Sequence, residues 1–566
     1  MVSRLLKLFS RDVVSMNQAA LVLAVFSVLS QVFGLVRDRL LASTIGPGAV
    51  LDVYYAAFRI PDFLYNSFGV LFSVTVLIPF IARFAQEEKE GKDGRLRYFL
   101  DNVTTVYIWG MGALCVGVAL LMPWLTHLTA PGFSAEQQHT LVVFSRLMLI
   151  SPFLFGLSSL LSSFAQVKKK FFAYAIAPLF YNAGILTGVL LFLPHWGMLG
   201  VVMGVILGAG LYFVVQLPPL IVLQKIPRLV SQVDWRLIKE VIALSLPRTL
   251  GSSLTNITFI LIAAIASLLA TGSISVFQLA YNIENSPLLI FGISYAVAAF
   301  PAMARSFSEG RNDEVLRVLY RTTRNIFFFT VPIAFLMIVL RAHVVRVLLG
   351  AGAFSWNDTR LVAASVALFC LSVTAQSMVL LLVRGFFATG DTWTPLKINL
   401  WAVAGTGAAA LGLVYGYHHV VALRYFLDSL LRLDGVEGGS VVLLALAFSI
   451  GQTWNALALW KKLHTRIVVV QPQAATLART LSHMIAAGII AAGAGYCTLL
   501  GIGTSVDQTR FWGIFSQAAV ATVVGFGVYG GILWLLGNED IRLFLGTLKS
   551  RFWKEKPPLV QGQQEL

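Results

Sequence analysis

Charge is scarce in this sequence: Asp, Glu, Lys and Arg make up 12% of it, about half the share found in a soluble domain. That scarcity excludes a water-facing surface for most of the chain. Cysteine is scarcer still. Cys115, Cys370 and Cys497 each lie inside an apolar run with no CxxC partner, which excludes a disulfide framework and a thiolate metal site. The eight histidines are scattered, with only His418 and His419 adjacent, so no metal is expected. There is no GxxxxGK[ST] phosphate loop, no HExxH, and no polar segment long enough to form a nucleotide-hydrolysing domain. An ATP-driven pump within the chain is thereby excluded, and neither enzymatic activity nor a cofactor is expected.

What is present is hydrocarbon. Hydrophobic residues make up 57% of 566, with a mean hydropathy of +0.80. Apolar stretches of about 18 or more residues recur along the chain, and in lipid such a stretch satisfies its backbone hydrogen bonds as a helix. The expectation is an all-α integral membrane protein of about 14 transmembrane helices. They begin near Asn17, Val53, Val103, Leu141, Phe171, Met198 and Leu237, then near Ser273, Ile326, Thr359, Trp393, Ser440, Leu481 and Phe511. The N-terminal Arg4, Lys7 and Arg11 resemble the basic region of a signal peptide, but the apolar segment behind them runs on to Arg37-Asp38-Arg39, so a retained first helix is expected.

The formal charge is +16, yet the basic residues form short clusters between apolar runs rather than one basic domain, which points to topology and not to nucleic acid. One alternate set of loops is basic: Arg83 to Arg97, Lys168-Lys169-Lys170, Lys225 to Lys239, Arg305 to Arg324, Lys461 to Arg466, and the tail from Arg542 to Lys556. The intervening loops Ser43 to Leu51, Thr126 to Gln138, Leu193 to Gly197 and Thr271 to Ser273 contain no Lys or Arg. By the positive-inside rule both termini are cytoplasmic. Arg341, Arg346 and Arg360, and Arg424 and Arg432 in the insertion from His418 to Gly439, break the pattern and suit amphipathic interfacial segments.

The chain repeats itself. Pro79-Phe-Ile-Ala-Arg83 returns as Pro301-Ala-Met-Ala-Arg305, and Gly132-Phe133-Ser134 returns as Ala353-Phe354-Ser355. Phe171-Phe172-Ala173 with Pro178 and Asn182 returns as Phe386-Phe387-Ala388 with Pro395 and Asn399. The order is kept at an offset of about 215 to 222 residues. The expected organisation is therefore an N-terminal half, 1–234, with helices 1 to 6, and a C-terminal half, 235–466, with helices 7 to 12. Residues 467–566 add helices 13 and 14 and a cytoplasmic tail. Two copies with even helix counts share one orientation, a transporter-type arrangement with its site between the halves.

Charges inside the membrane are the places to look for function. In helix 2, Asp52, Tyr55, Arg59, Asp62 and Asn66 follow steps of three and four and share a face. Pro61 within that stretch should bend the helix. The stripe reads as a cavity wall or as an internal salt bridge of Arg59 with Asp52 or Asp62. Helix 1 carries Ser30, Gln31, Arg37 and Asp38, with Arg39 snorkelling to the interface. In the second half, Ser245, Arg248 and Ser252 and then Gln278, Asn282 and Asn285 form the matching polar line. Arg248 and Arg384 stand between a cavity role and a boundary role. Glu284, about twelve residues into its span, is a candidate for proton or cation coupling.

These motifs together resemble the MurJ (MviN) family, the lipid II flippases of the multidrug/oligosaccharidyl-lipid/polysaccharide exporter superfamily. The resemblance rests on Ser30-Gln-Val-Phe-Gly34-Leu-Val-Arg37-Asp38, Asp52 with Ala57-Phe-Arg-Ile-Pro61-Asp62, and Thr129-Ala-Pro-Gly-Phe133. Ala177-Pro178 with Asn182, Gln216-Leu-Pro218 and Gly390-Asp391-Thr-Trp-Thr-Pro395-Leu-Lys397 extend it. It implies alternating-access movement of undecaprenyl-linked disaccharide-pentapeptide to the outer leaflet of a bacterial inner membrane. It also implies cavity arginines on the pyrophosphate, a lipid-tail groove at helices 13 and 14, membrane lipid around the protein, and cell-wall synthesis machinery as a partner. Asp38, Asp52 or Glu284 would pair with Arg37 and Arg59 in the empty state. The chain departs from the family at Gln31, Tyr65 and Asn282, where arginines are usual, at Val70, where an acid is usual, and at Tyr281. The competing expectations are an exporter of another lipid-linked oligosaccharide or of drugs, which would favour excess carboxylates, and a non-transporting membrane scaffold, whose idle cavity should turn apolar.

Overall fold

The computed structural model describes residues 16–90, 94–168, 170–223, 226–467, 473–503, 507 and 510–553. Arg4, Lys7, Arg11, Lys92, Lys169, Lys225 and the end of the tail at Lys556 lie outside the described residues.

All regular structure among the described residues is helical. Helix α1 is Met16–Thr44; α2 is a series of pieces, Ala49–Ala57, Arg59–Ser67, Gly69–Phe72 and Val74–Lys89; α3 is Arg95–Thr129. Helix α4 joins Ala135–Met148 to Ile150–Val167, α5 runs from Phe171 through a π turn to Trp196, α6 is Met198–Val214, and α7 is Trp235–Ser267. Helix α8 runs from Ser273 to Ser308 with a π segment at Leu288–Ile293, and α9 is Asn312–Leu349. Helix α10 joins Trp356–Cys370 to Val373–Ala388, α11 is Trp393–His419, α12 is Val442–Ile467, α13 is Gln473–Gly503, and α14 is Phe511–Leu535. A helix begins near each of the expected starting points. Among the described residues eleven are long and apolar enough to cross a membrane, and up to twelve when the two arms of α10, bent by 45°, count as one span. Helix α7 contributes a shorter apolar stretch, Ser253–Ser267. Large apolar side chains such as Trp109, Leu120, Trp401 and Val523 are exposed on these helices, as lipid contact requires.

The repeat is visible in local structure. Ser134 caps α4 in a reciprocal box with Gln137, and Ser355 caps α10 in the same way with Asp358, each N–H meeting the other's side chain. Helix α4 is interrupted at Leu149 and α10 at Leu371 and Ser372, positions that match at the repeat offset. Pro61 does disturb α2, whose first break falls at Phe58, next to the Ala57 carbonyl that proline cannot satisfy.

By packing, the chain forms two compact units. One comprises residues 1–279, 348–361 and 399–444; the other comprises 280–347, 362–398 and 445–566. This is a partition by contact, distinct from the sequence repeat. In the first unit the expected basic loops meet one another: Arg83 pairs with Glu240 at 3.1 Å, and Asp101 accepts the Arg228 N–H at 2.7 Å. Asp234 caps α7, and the Leu237 N–H, with further donors from Tyr98 and Arg236, holds its carboxyl below the usual range. Two of the Lys- and Arg-free loops are tied down elsewhere: the Ala353 N–H bonds Ser43 O at 2.7 Å, and the Gly132 N–H bonds Ser267 Oγ at the end of α7 at 3.1 Å. In the second unit Arg324 bonds Asp540 and Glu539, and Arg466 pairs with Asp391. The insertion after α11 folds as a short helix, Val421–Leu431. Its Arg424 pairs with Asp428, Arg360 donates to the Arg432 carbonyl at 2.7 Å, and Val421, Tyr425, Phe426 and Leu430 are exposed.

Helices α5 and α6 touch through glycine. A Cβ on Gly204 would lie 2.5 Å from the Cα of Gly188, and one on Gly184 would lie 2.2 Å from the Cα of Gly208. Spacing of four along both helices places these residues on facing stripes, the small-residue packing by which membrane helices approach closely. Gly204→Ala is expected to cost about 1–3 kcal/mol and to lower the thermal midpoint of the detergent-purified protein. Gly210→Ala, where nothing lies within 4 Å of the added carbon, leaves it in place.

Candidate functional site

In the first unit α1 and α5 build a polar node. The Arg37 Nε and Nη2 both reach Asp38 Oδ1, at 2.9 and 2.8 Å, and Nη1 donates to Asn182 Oδ1 at 3.3 Å. Asn182 in turn donates to the Ser30 carbonyl and hydroxyl, each at 3.3 Å, and to the Pro178 carbonyl. The Arg37 side chain keeps 22% of its surface exposed while Asp38 keeps 3%. A guanidinium with one buried counterion and a neutral amide partner can exchange that amide for an incoming anion, because its fork matches paired oxygens. Arg39 lies apart from the node and donates to the Leu348 carbonyl.

Helix α2 divides its charged stripe between two tasks. Asp52 is buried, and its two oxygens accept the Gly272 and Ser275 N–H groups at 2.7 Å each. These are the amides that open α8, so Asp52 is a helix cap supplied from a distant part of the sequence. Gly272 adopts a φ of +93°, a conformation that glycine accepts without strain. The expected pairing of Arg59 with Asp52 does not form, because those amides occupy both oxygens. Arg59 instead donates to Gln278 Oε1 at 2.7 Å and stands 5.4 Å from the Phe259 ring centre. Asp62 is exposed, within Coulombic reach of Arg59. It lines a small recess with Pro61, Tyr65, Ser151, Phe155 and Tyr181. Asn66 donates back to the Asp62 carbonyl. Tyr65, standing where the family usually has arginine, bonds Ser159 at 3.2 Å and is neutral. The side chain of Arg248 lies outside the described residues.

The second unit holds Asn282, Glu284 and Arg384. Asn282 is half-buried, and its carbonyl accepts the Ser286 hydroxyl. Arg384 is also half-buried and donates to the Leu380 carbonyl of its own helix at 3.0 Å. Among the described residues it makes no ion pair. Glu284 is fully buried and accepts Gln376 Nε2 at 2.7 Å. Beside this pair a cavity of about 730 Å³ opens among α9, α10, α12 and α13, walled by side chains such as Phe327, Phe335, Met378, Ala456 and Ile485. The resemblance places a tail groove at helices 13 and 14. In this structure the apolar hollow takes only α13 of that pair, with three helices of the second unit.

Sequence spacing missed the partners more than the charges. Asn182 stood in a repeat motif whose polar reach across to α1 has no one-dimensional signal, and Phe259, Gln376 and Ser372 come from helices remote in sequence. No group of three or more His, Cys, Asp or Glu that could hold a metal occurs among the described residues. Asp52→Ala is expected to cost about 2 kcal/mol, read as a lower thermal midpoint, and Asp52→Asn recovers part of it by keeping one acceptor. Unchanged stability with lost transport would return Asp52 to the substrate-facing wall.

Comparison with known proteins converges on one group. A family model described as lipid II flippase MurJ matches residues 41–506. A probable lipid II flippase MurJ of Rhizobium tropici is 28% identical over 546 residues, covering 92% of this chain and 94% of its own length. One of Rhizobium meliloti is 30% identical over 400 residues, covering 68% of this chain and 72% of its own length. A solved structure of lipid II flippase MurJ in an inward closed conformation superposes with a TM-score of 0.70 at 18% identity, over 91% of this chain and 99% of that one. An inward-facing multidrug resistance MATE transporter of the MOP superfamily superposes at 0.61 and 13% identity, over 80% of this chain and 96% of its own. The fold is thus shared across that superfamily, and the sequence match narrows it: this multi-pass membrane chain belongs to the MurJ family of lipid II flippases.

Proposed function

We propose that the protein moves lipid II, the undecaprenyl-linked peptidoglycan precursor, from the inner to the outer leaflet of a bacterial cytoplasmic membrane by alternating access, with both termini cytoplasmic. It is a secondary transporter and not an enzyme, supplying precursor to the cell-wall synthesis machinery. The absence of a phosphate-binding loop leaves a transmembrane gradient of protons or other cations to drive the cycle. The observation that carries the reading is the Arg37 guanidinium, fixed by Asp38 and Asn182 on a side chain that keeps 22% of its surface exposed. A pyrophosphate has the charge and the paired oxygens to displace Asn182 and share the cation with Asp38. Arg59, which donates to the neutral Gln278 amide and stands over the Phe259 ring, is the second cation assigned to the anion. The prenyl tail suits the apolar cavity of the second unit.

One observation favours a second substrate within the same class. Tyr65 puts a neutral hydroxyl where the family has a cation, which fits a lipid-linked oligosaccharide whose headgroup carries less charge than lipid II.

Each arginine contributes charge-assisted hydrogen bonds of about 1.5–3 kcal/mol, so Arg37→Ala and Arg59→Ala are each expected to cut translocation about tenfold or more. The double variant fails to complement a flippase-deficient strain; full complementation would overturn the assignment. Native mass spectrometry of the purified protein is expected to show lipid II retained, and a different lipid-linked saccharide in its place would select the second reading. Ala456→Trp, which fills the apolar cavity, is expected to reduce retained lipid while leaving the protein folded.

A further inference from the structure

Among the described residues Glu284 is the only acidic side chain with no exposed surface. Its Oε1 accepts Gln376 Nε2 at 2.7 Å, and its Oε2 is buried with no hydrogen-bond partner. From Gln376 the polar chain continues: Nε2 also reaches Ser372 Oγ at 3.0 Å, Ser372 Oγ meets Ser449 Oγ at 2.9 Å, and Ser449 donates to the Leu368 carbonyl at 2.7 Å. Ser372 also bonds the Phe369 carbonyl. This chain plugs the break in α10, where Leu371 and Ser372 separate arms bent by 45°. An aromatic trio, Tyr281, Phe369 and Phe448, stands beside it.

Three occupants of such a site can be compared. A salt-bridge partner is lacking: α10 offers only the Cys370 thiol as a titratable neighbour, α12 offers the Ser449 hydroxyl, and no Lys, Arg or His forms an ion pair with Glu284 among the described residues. A metal cation needs several convergent oxygens, and among the described residues no group of three or more His, Cys, Asp or Glu gathers around Glu284. A proton needs neither. It removes a charge whose burial without a partner costs several kcal/mol, and the Gln376 amide, turned end for end, accepts the resulting O–H.

We infer that Glu284, with Gln376 and Ser372, is a proton-binding site at the α10 hinge, and that the proton is the ion to which movement of that hinge is coupled. Loss of the proton leaves a carboxylate in the plug, and the Gln376–Ser372–Ser449 chain must then open or hydrate to solvate it. Cys370, Leu371 and Thr374 at the same break line the apolar cavity, so opening the hinge reshapes the cavity wall. The consequence for transport rests on the flippase reading; the proton site does not.

Two measurements on the full-length protein separate them. Infrared difference spectroscopy is expected to show the carbonyl stretch of a protonated carboxylic acid at neutral pH, shifted in deuterated water, moved in E284D and absent in E284Q. In proteoliposomes containing lipid II, an imposed pH gradient is expected to change translocation about tenfold, within the usual range for coupled sites, and E284Q removes that response. Absence of the acid band, or a response to sodium that ignores pH and survives in E284Q, overturns the proposal. An acid band assigned to Glu284 in a protein that translocates no lipid II under any gradient refutes the flippase reading and leaves the proton site standing.

Discussion

A backbone in hydrocarbon has no water to bond, so every interruption of a membrane helix frees amides and carbonyls that side chains must satisfy. Much of this protein follows from where it breaks its helices. The break in α4 at Leu149 is followed by Pro152 and Phe153, whose carbonyls take the Tyr107 hydroxyl. The break in α10 is satisfied by Ser372 and Ser449. The amides that open α8 are taken by Asp52. Polar residues gather at these points because the alternative is an unmet group in lipid, costing several kcal/mol.

This constraint sorts the charges into kinds. Asp52 serves the backbone and is spent on it. Arg37 keeps part of its side chain exposed beside Asp38 and Asn182, and Arg59 donates to the neutral Gln278 amide and stands over the Phe259 ring. Glu284 has neither a cation nor a backbone amide, and a proton is the simplest way to keep it inside. A stripe of alternating charge along one helix is therefore no guarantee of a common purpose.

Hydropathy and loop charge made the helical membrane fold legible, since a run of about 18 apolar residues has few other fates. The repeat was legible in Pro79 and Pro301 and in the capping serines Ser134 and Ser355, because caps and prolines act locally. The breaks were less so: Pro61 announced the one at Phe58, but nothing local marks Leu371, whose interruption depends on hydroxyls from its own turn and from α12. The α5–α6 contact needed two glycine stripes to be read together, Gly184 and Gly188 against Gly204 and Gly208. At the site, the charged residues could be named from spacing, but whether Asp52 faced a ligand or a helix end was fixed by a contact 220 residues away.

The central claim is that this chain carries a pyrophosphate-linked lipid across the bilayer on Arg37 and Arg59. The most direct test is leaflet accessibility of labelled lipid II in proteoliposomes made with the purified protein alone. The account predicts time-dependent transfer to the opposite leaflet, abolished by joint replacement of Arg37 and Arg59 in a protein that remains folded. Transfer no faster than in protein-free vesicles, or transfer indifferent to both arginines, would contradict it.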